Sequence, residues 1–107
     1  MADHIMILRD ALRNYTALTW SDAIFVDKSR PLGLETGCLI HDPDDINDEE
    51  ADLPAAAMAL GYDYLIDVQT FQSICLNLLE QTQDADAEEL LGGLQFYLKN
   101  DAFIVLG

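Results

Sequence analysis

Phe71, Ile74, Cys75, Leu78 and Leu79 recur at i, i+3, i+4, i+7 and i+8, a spacing that lays one apolar stripe along a helix. Asp67 stands where that helix needs its N-cap. Just before it, YDYLID alternates Tyr62, Tyr64 and Ile66 against Asp63 and Leu65, which predicts a strand running directly into the helix. After the acidic turn QTQDADAEE, a second stripe of Ala87, Leu90, Leu91, Leu94, Tyr97 and Leu98 predicts another helix, with Asp86 and Glu89 at capping-box spacing. Gly92 and Gly93 interrupt this stripe. Each glycine costs about 1 kcal/mol against alanine in a helix interior, so either the helix breaks there or another backbone packs closely against it. Lys99, near the end, complements the helix dipole.

The rest of the chain supplies the other elements. Asp3 is placed to cap a helix over about 3–15, along which Ile5, Leu8, Leu12 and Tyr15 recur at helical spacing. WSDAIFVD is rich in β-branched and aromatic residues and predicts a strand over 20–27; TGCLIH predicts a second over 36–41. KSRPLGLETG, with one proline and two glycines, is the loop between them. LPAAAMALG predicts a short helix with Pro54 near its first turn and Gly61 at its end. AFIVL predicts a final strand over 102–106. The order α-β-β-α-β-α-α-β leads to an α+β fold, with helices packed on one face of a roughly four-stranded mixed or antiparallel sheet. A chain of 107 residues, half of them hydrophobic, forms one domain over 1–107 with enough core to fold without staples.

Charge narrows the function classes. Twenty acidic residues face five basic ones, Arg9, Arg13, Lys28, Arg30 and Lys99, for a formal net charge of -15. Such a chain repels nucleic-acid phosphates and anionic lipid, so neither nucleic acid nor membrane is expected as a partner, whereas a basic protein is. Solubility alone is the bland reading of the same imbalance. Cys38 and Cys75 are isolated and make neither a disulfide framework nor a zinc site, which suits the reducing cytoplasm. MADHIMILRD lacks the basic start of a signal peptide, and the apolar run Leu53 to Leu60 is too short to span a bilayer.

No GxGxxG, P-loop or GxSxG occurs, and His4 and His41 form no ligand pair. No enzymatic turnover and no cofactor are expected. The densest feature is DPDDINDEEADL, where seven of the eleven residues from Asp42 to Asp52 are carboxylates. An EF-hand requires oxygen ligands at positions 1, 3 and 5, glycine at 6 and glutamate at 12. From Asp42, position 5 is Ile46; from Asp45, position 6 is Glu50 and position 12 is Ala56, so both registers fail and no metal site is expected. A solvated loop and a partner-facing loop remain. The whole-chain charge favours the second, with Asp42, Asp44, Asp45, Asp48, Glu49, Glu50 and Asp52 as the binding carboxylates. Asp84, Asp86, Glu88 and Glu89 form a second acidic patch, which helix capping explains in part. Trp20, the one tryptophan, suits an interface ring or a core position equally.

The stretch LIHDPDDINDEEADLPAAAMALGYDYLIDVQTFQSICLNLLEQ, with the terminal YLKNDAFIVLG, resembles small acidic bacterial proteins similar to the immunity proteins of contact-dependent growth inhibition and related toxin systems. The likeness covers residues 39–107 better than the N-terminal segment. It implies a cytoplasmic toxin inhibitor that acts by protein–protein interaction, binding one cognate basic toxin domain, often a nuclease, and blocking its active site or substrate groove. The alternative is an acidic adaptor or DNA-mimic protein that binds a basic regulatory or DNA-binding protein. A mimic spaces its charges along a surface, whereas this sequence gathers them in two loops.

Overall fold

The computed structural model describes residues 4–44 and 53–105. Along the chain the elements are β1 (His4–Ile7), α1 (Leu8–Arg13), a single 3-10 turn (Tyr15–Ala17), β2 (Ala23–Val26), β3 (Gly37–His41), α2 (Ala55–Leu60), β4 (Asp63–Asp67), α3 (Val68–Gln81) and α4 (Ala87–Asn100). The strands form one sheet in the order β1-β3-β2-β4, and every pairing is antiparallel. The α+β class and the four strands are as expected, but the fourth strand comes from the opposite end of the chain.

The expected helix over 3–15 divides at Ile7. Met6 pairs with Cys38 and packs against the main core, while Ile5 on the other face is 59% exposed. Helical spacing is real only from Leu8 onward, where Leu8, Ala11 and Leu12 are buried at i, i+3 and i+4. The expected strand over 102–106 is absent from the described residues 102–105. Asp101 ends α4 in the left-handed region, and the chain then runs over the helices instead of joining the sheet. There Ile104 approaches Gly93, its carbonyl accepts a bond from Gln81 Nε2, and Phe103 stacks near Tyr97.

Alternation along β2 separates two cores. Ile24 and Val26 face α1, α3 and α4, together with Cys38, Ile40, Ile66 and the fully buried Leu8, Leu12 and Phe71. Ala23 and Phe25 face the opposite way, with Leu39 and Ala57. Helices α1, α3 and α4 thus share one face, as expected, while α2 lies on the other. A bulge opposite Ile24/Phe25 explains this division at β4. Leu65 is the extra residue, so Leu65 and Ile66 both pack toward the helices, whereas Tyr64 meets Phe25 edge-on at 5.8 Å. The simple alternation read from YDYLID fails at that residue.

The caps read at Asp67 and Asp86 form, while the one read at Asp3 lies outside the described residues and α1 starts at Leu8 with no side-chain cap. The Thr70 N–H donates to Asp67 Oδ2 and the Glu89 N–H donates to Asp86 Oδ1, each at 2.9 Å. Helix α4 runs unbroken through Gly92 and Gly93, and what lies near Gly93 is side chain: Leu78, Ile74 and Ile104. Gly61, at φ 73°, closes α2 in the left-handed region that glycine occupies without a Cβ penalty. At Gly37 a Cβ would collide with the Tyr62 hydroxyl.

Candidate functional site

Ala23 lies opposite both His41 and Asp67, so the start of β2, the end of β3 and the end of β4 share one end of the sheet. The segments leaving that row carry Trp20, Asp22, Asp42 and Asp44. Among the described residues, none of these segments contains Lys or Arg. Positive charge lies elsewhere: Lys28 and Arg30 sit in the loop beyond the other end of β2, and Arg9 pairs with Glu35 of that loop at 2.6 Å. The described segments at the Ala23 end thus carry carboxylates without Lys or Arg, whereas the opposite end mixes Lys28 and Arg30 with Asp27, Glu35 and Asp63.

Of the seven carboxylates expected to bind a partner, the structure describes two. Asp42 and Asp44 follow β3 directly and are both exposed. The Asp44 N–H donates to Asp42 Oδ1 at 2.9 Å, which turns the chain at Pro43 and leaves the Asp44 carboxylate facing outward. Asp45, Asp48, Glu49, Glu50 and Asp52 lie outside the described residues.

The second acidic patch is a different surface. Asp86 is committed to capping α4, and with Glu88 it lines a groove of about 610 Å³ whose facing wall carries Arg9 and Arg13. Cations beside carboxylates make that groove closer to balanced than the acidic end. It also lies by the last turn of α3, whose first turn follows Asp67 at the acidic end. The fold keeps Asp42 and Asp44 apart from Asp86 and Glu88, although as runs of carboxylates the two stretches look alike in sequence.

Trp20 resolves to the surface, with 66% of its area exposed. Its turn is held firmly. The Asp22 N–H donates to the Thr19 carbonyl at 2.9 Å, and the Val68 N–H donates to the Asp22 carbonyl at 2.9 Å. Gln72 of α3 sends Nε2 to the Tyr15 and Leu18 carbonyls, each at 2.9 Å, while Leu18 is buried. Sequence pattern did not single out Asp22. The signal for it is the polar cluster Thr19, Ser21 and Asp22 around an aromatic ring, which is turn chemistry and not strand chemistry.

Burial pushes the thiols of Cys38 and Cys75 up to about 12, the reverse of what a nucleophile needs. The Ser29 hydroxyl donates to Asp27 Oδ1 and the Ser73 hydroxyl donates to the Gln69 carbonyl. Burial, and secondarily the Asp67 carboxylate, holds the Tyr64 phenol above its ordinary value. Among the described residues no three His, Cys, Asp or Glu side chains gather as metal ligands. Nor is any described helix long and apolar enough to cross a membrane.

No curated protein and no solved structure matches the chain. Residues 5–106 match the family described as Domain of unknown function (DUF7716), and the chain belongs to that family.

Proposed function

We propose that this is an acidic inhibitory binding protein whose acidic sheet end docks on a basic protein domain, and that its specific role is immunity against a cognate toxin, with a nuclease the expected class. The observation that carries the reading is the one-signed charge of the segments at that sheet end. Asp22, Asp42 and Asp44 share one end of the sheet with no described Lys or Arg among them, in a chain of net charge -15. A nuclease presents basic residues to phosphates, and carboxylates held on a sheet end take those positions. Opposite fields speed encounter, and close charge pairs across a nuclease–inhibitor interface couple by about 1.5–7 kcal/mol.

The test begins with the intact protein immobilised and exposed to a lysate of its source, washed at moderate salt. The expected result is a stoichiometric basic toxin domain whose activity the protein abolishes. Replacing Asp22, Asp42 and Asp44 by Asn together is expected to slow association about tenfold at low salt and to flatten its salt dependence. An unchanged rate removes the acidic end from the interface. Recovery of many unrelated DNA-binding proteins, all displaced by duplex DNA, would replace immunity with DNA mimicry.

A further inference from the structure

We infer that Trp20 is the aromatic anchor of this docking surface and that it receives an arginine side chain of the basic partner, with Gln72 as the residue that positions it. The inference rests on the proposed acidic docking end and adds the residue that selects what binds there.

An exposed tryptophan on a loose loop would be unremarkable, but here the display is built. Leu18, two residues earlier, is buried, and the Gln72 amide grips the carbonyls of Tyr15 and Leu18 from α3. On the other side, Asp22 closes the turn onto Thr19 and accepts the Val68 N–H where α3 begins. Four hydrogen bonds and a buried leucine fix a segment whose central ring remains 66% exposed. Core packing does not account for that ring. A backbone held in place before binding has little ordering entropy left to lose when a partner arrives.

The chemistry of the occupant follows from the neighbours. The indole face is the strongest aromatic acceptor for a cation, and guanidinium groups stack on it more often than ammonium groups do. Asp22 is two residues away, and Asp42 and Asp44 leave the same sheet end. A planar cation can lie on the ring while its N–H groups reach carboxylates, a combination for which arginine is better shaped than lysine.

Trp20 is also the sole tryptophan, so its emission reports on this site alone. The probe is hexa-arginine amide titrated into the intact protein at low ionic strength, with hexa-lysine and hexa-glutamate amides as comparators. Expected is a saturable change in Trp20 emission with hexa-arginine, weaker with hexa-lysine and absent with hexa-glutamate. Binding of labelled hexa-arginine should weaken about tenfold or more in Trp20→Ala and less in Trp20→Phe, which keeps a ring. Gln72→Met is expected to weaken binding about threefold and to raise the local motion of Trp20 in time-resolved anisotropy. An indole as rigid as in the wild type would remove the positioning role. Equal affinity in Trp20→Ala, with binding lost in the Asp22, Asp42 and Asp44 triple Asn variant, overturns the anchor and leaves the acidic docking end standing. Absence of any hexa-arginine binding to the wild type overturns both. Emission that shifts with protein concentration alone, and not with peptide, assigns the ring to a second copy of the chain and overturns the arginine assignment.

Discussion

Cys38 faces the helices from β3 and Cys75 comes to the same core from α3, and both are buried. Desolvation disfavours their thiolates, which raises both from an ordinary 9.0 to about 12. Neither thiol is expected to react with a disulfide reagent at pH 8 in native protein, and both should react once guanidinium unfolds it. A thiol titration with and without denaturant checks this, and rapid native labelling would contradict the burial of the core. The same shift sets a sign for stability. The folded thiols hold their protons more tightly than the unfolded ones, so their contribution is whole below about pH 9 and is lost as pH rises toward about 12. Replacing both by alanine should therefore flatten the alkaline decline in urea stability while lowering the neutral value, because buried side-chain volume is lost.

At the scale of elements, β1 and α4 are where the structure makes the sharpest demands. The Leu8 N–H donates to the Thr36 carbonyl, and the register counts back from there, so Met6 faces β3 with its backbone groups while Ile5 and Ile7 turn theirs to the open edge. Amide exchange should then alternate, with Met6 protected and Ile5 and Ile7 fast. Fast exchange at Met6 with protection at both Ile7 and Leu8 would restore the helix read from the sequence, whose first amides have no partner within it. In α4, a Cβ at Gly92 meets nothing within 4 Å. Gly92→Ala should stabilise the protein by about 0.5–1 kcal/mol in denaturant unfolding, through helix propensity and a less free unfolded chain. A loss of stability would mean that the helix is broken at that point.

The molecule as a whole carries a charge of -15, and self-repulsion opposes the compact state. One described ion pair, Arg9 with Glu35, bridges α1 and the loop before β3, and exposed pairs contribute little. Raising sodium chloride from about 10 to 500 mM shortens the screening length from roughly 30 Å to below 8 Å. The melting temperature should rise, by about 4–8 °C for each kcal/mol of repulsion relieved. Melts followed by circular dichroism test this, and a flat response would mean that the carboxylates stand too far apart to strain the fold. The same screening should weaken the association proposed for the acidic end, so on that proposal salt stabilises the protein while slowing its binding.

Local pattern was enough for the elements whose neighbours in sequence are their neighbours in space. The stripe from Phe71 to Leu79, the caps at Asp67 and Asp86, and the apolar runs of β2 and β3 are legible because helix and strand periods act over a few residues. Asp42 and Asp44 are likewise legible from composition alone. HIMI and AFIVL are not separable in this way. Both are short apolar runs, and only the free side of β3 decided that the first became a strand, while Gly93 and Gln81 drew the second onto the helices. The placement of Trp20 beside the acidic end, and the separation of that end from the Arg9 and Arg13 groove, also waited on the tertiary structure. Strand pairing joins residues tens of positions apart, and a one-dimensional period holds no information about which of them will meet. What the sequence by itself determined was the α+β class and the sign of the field; what the tertiary structure decided was which strand closed the sheet and which carboxylates share one of its ends.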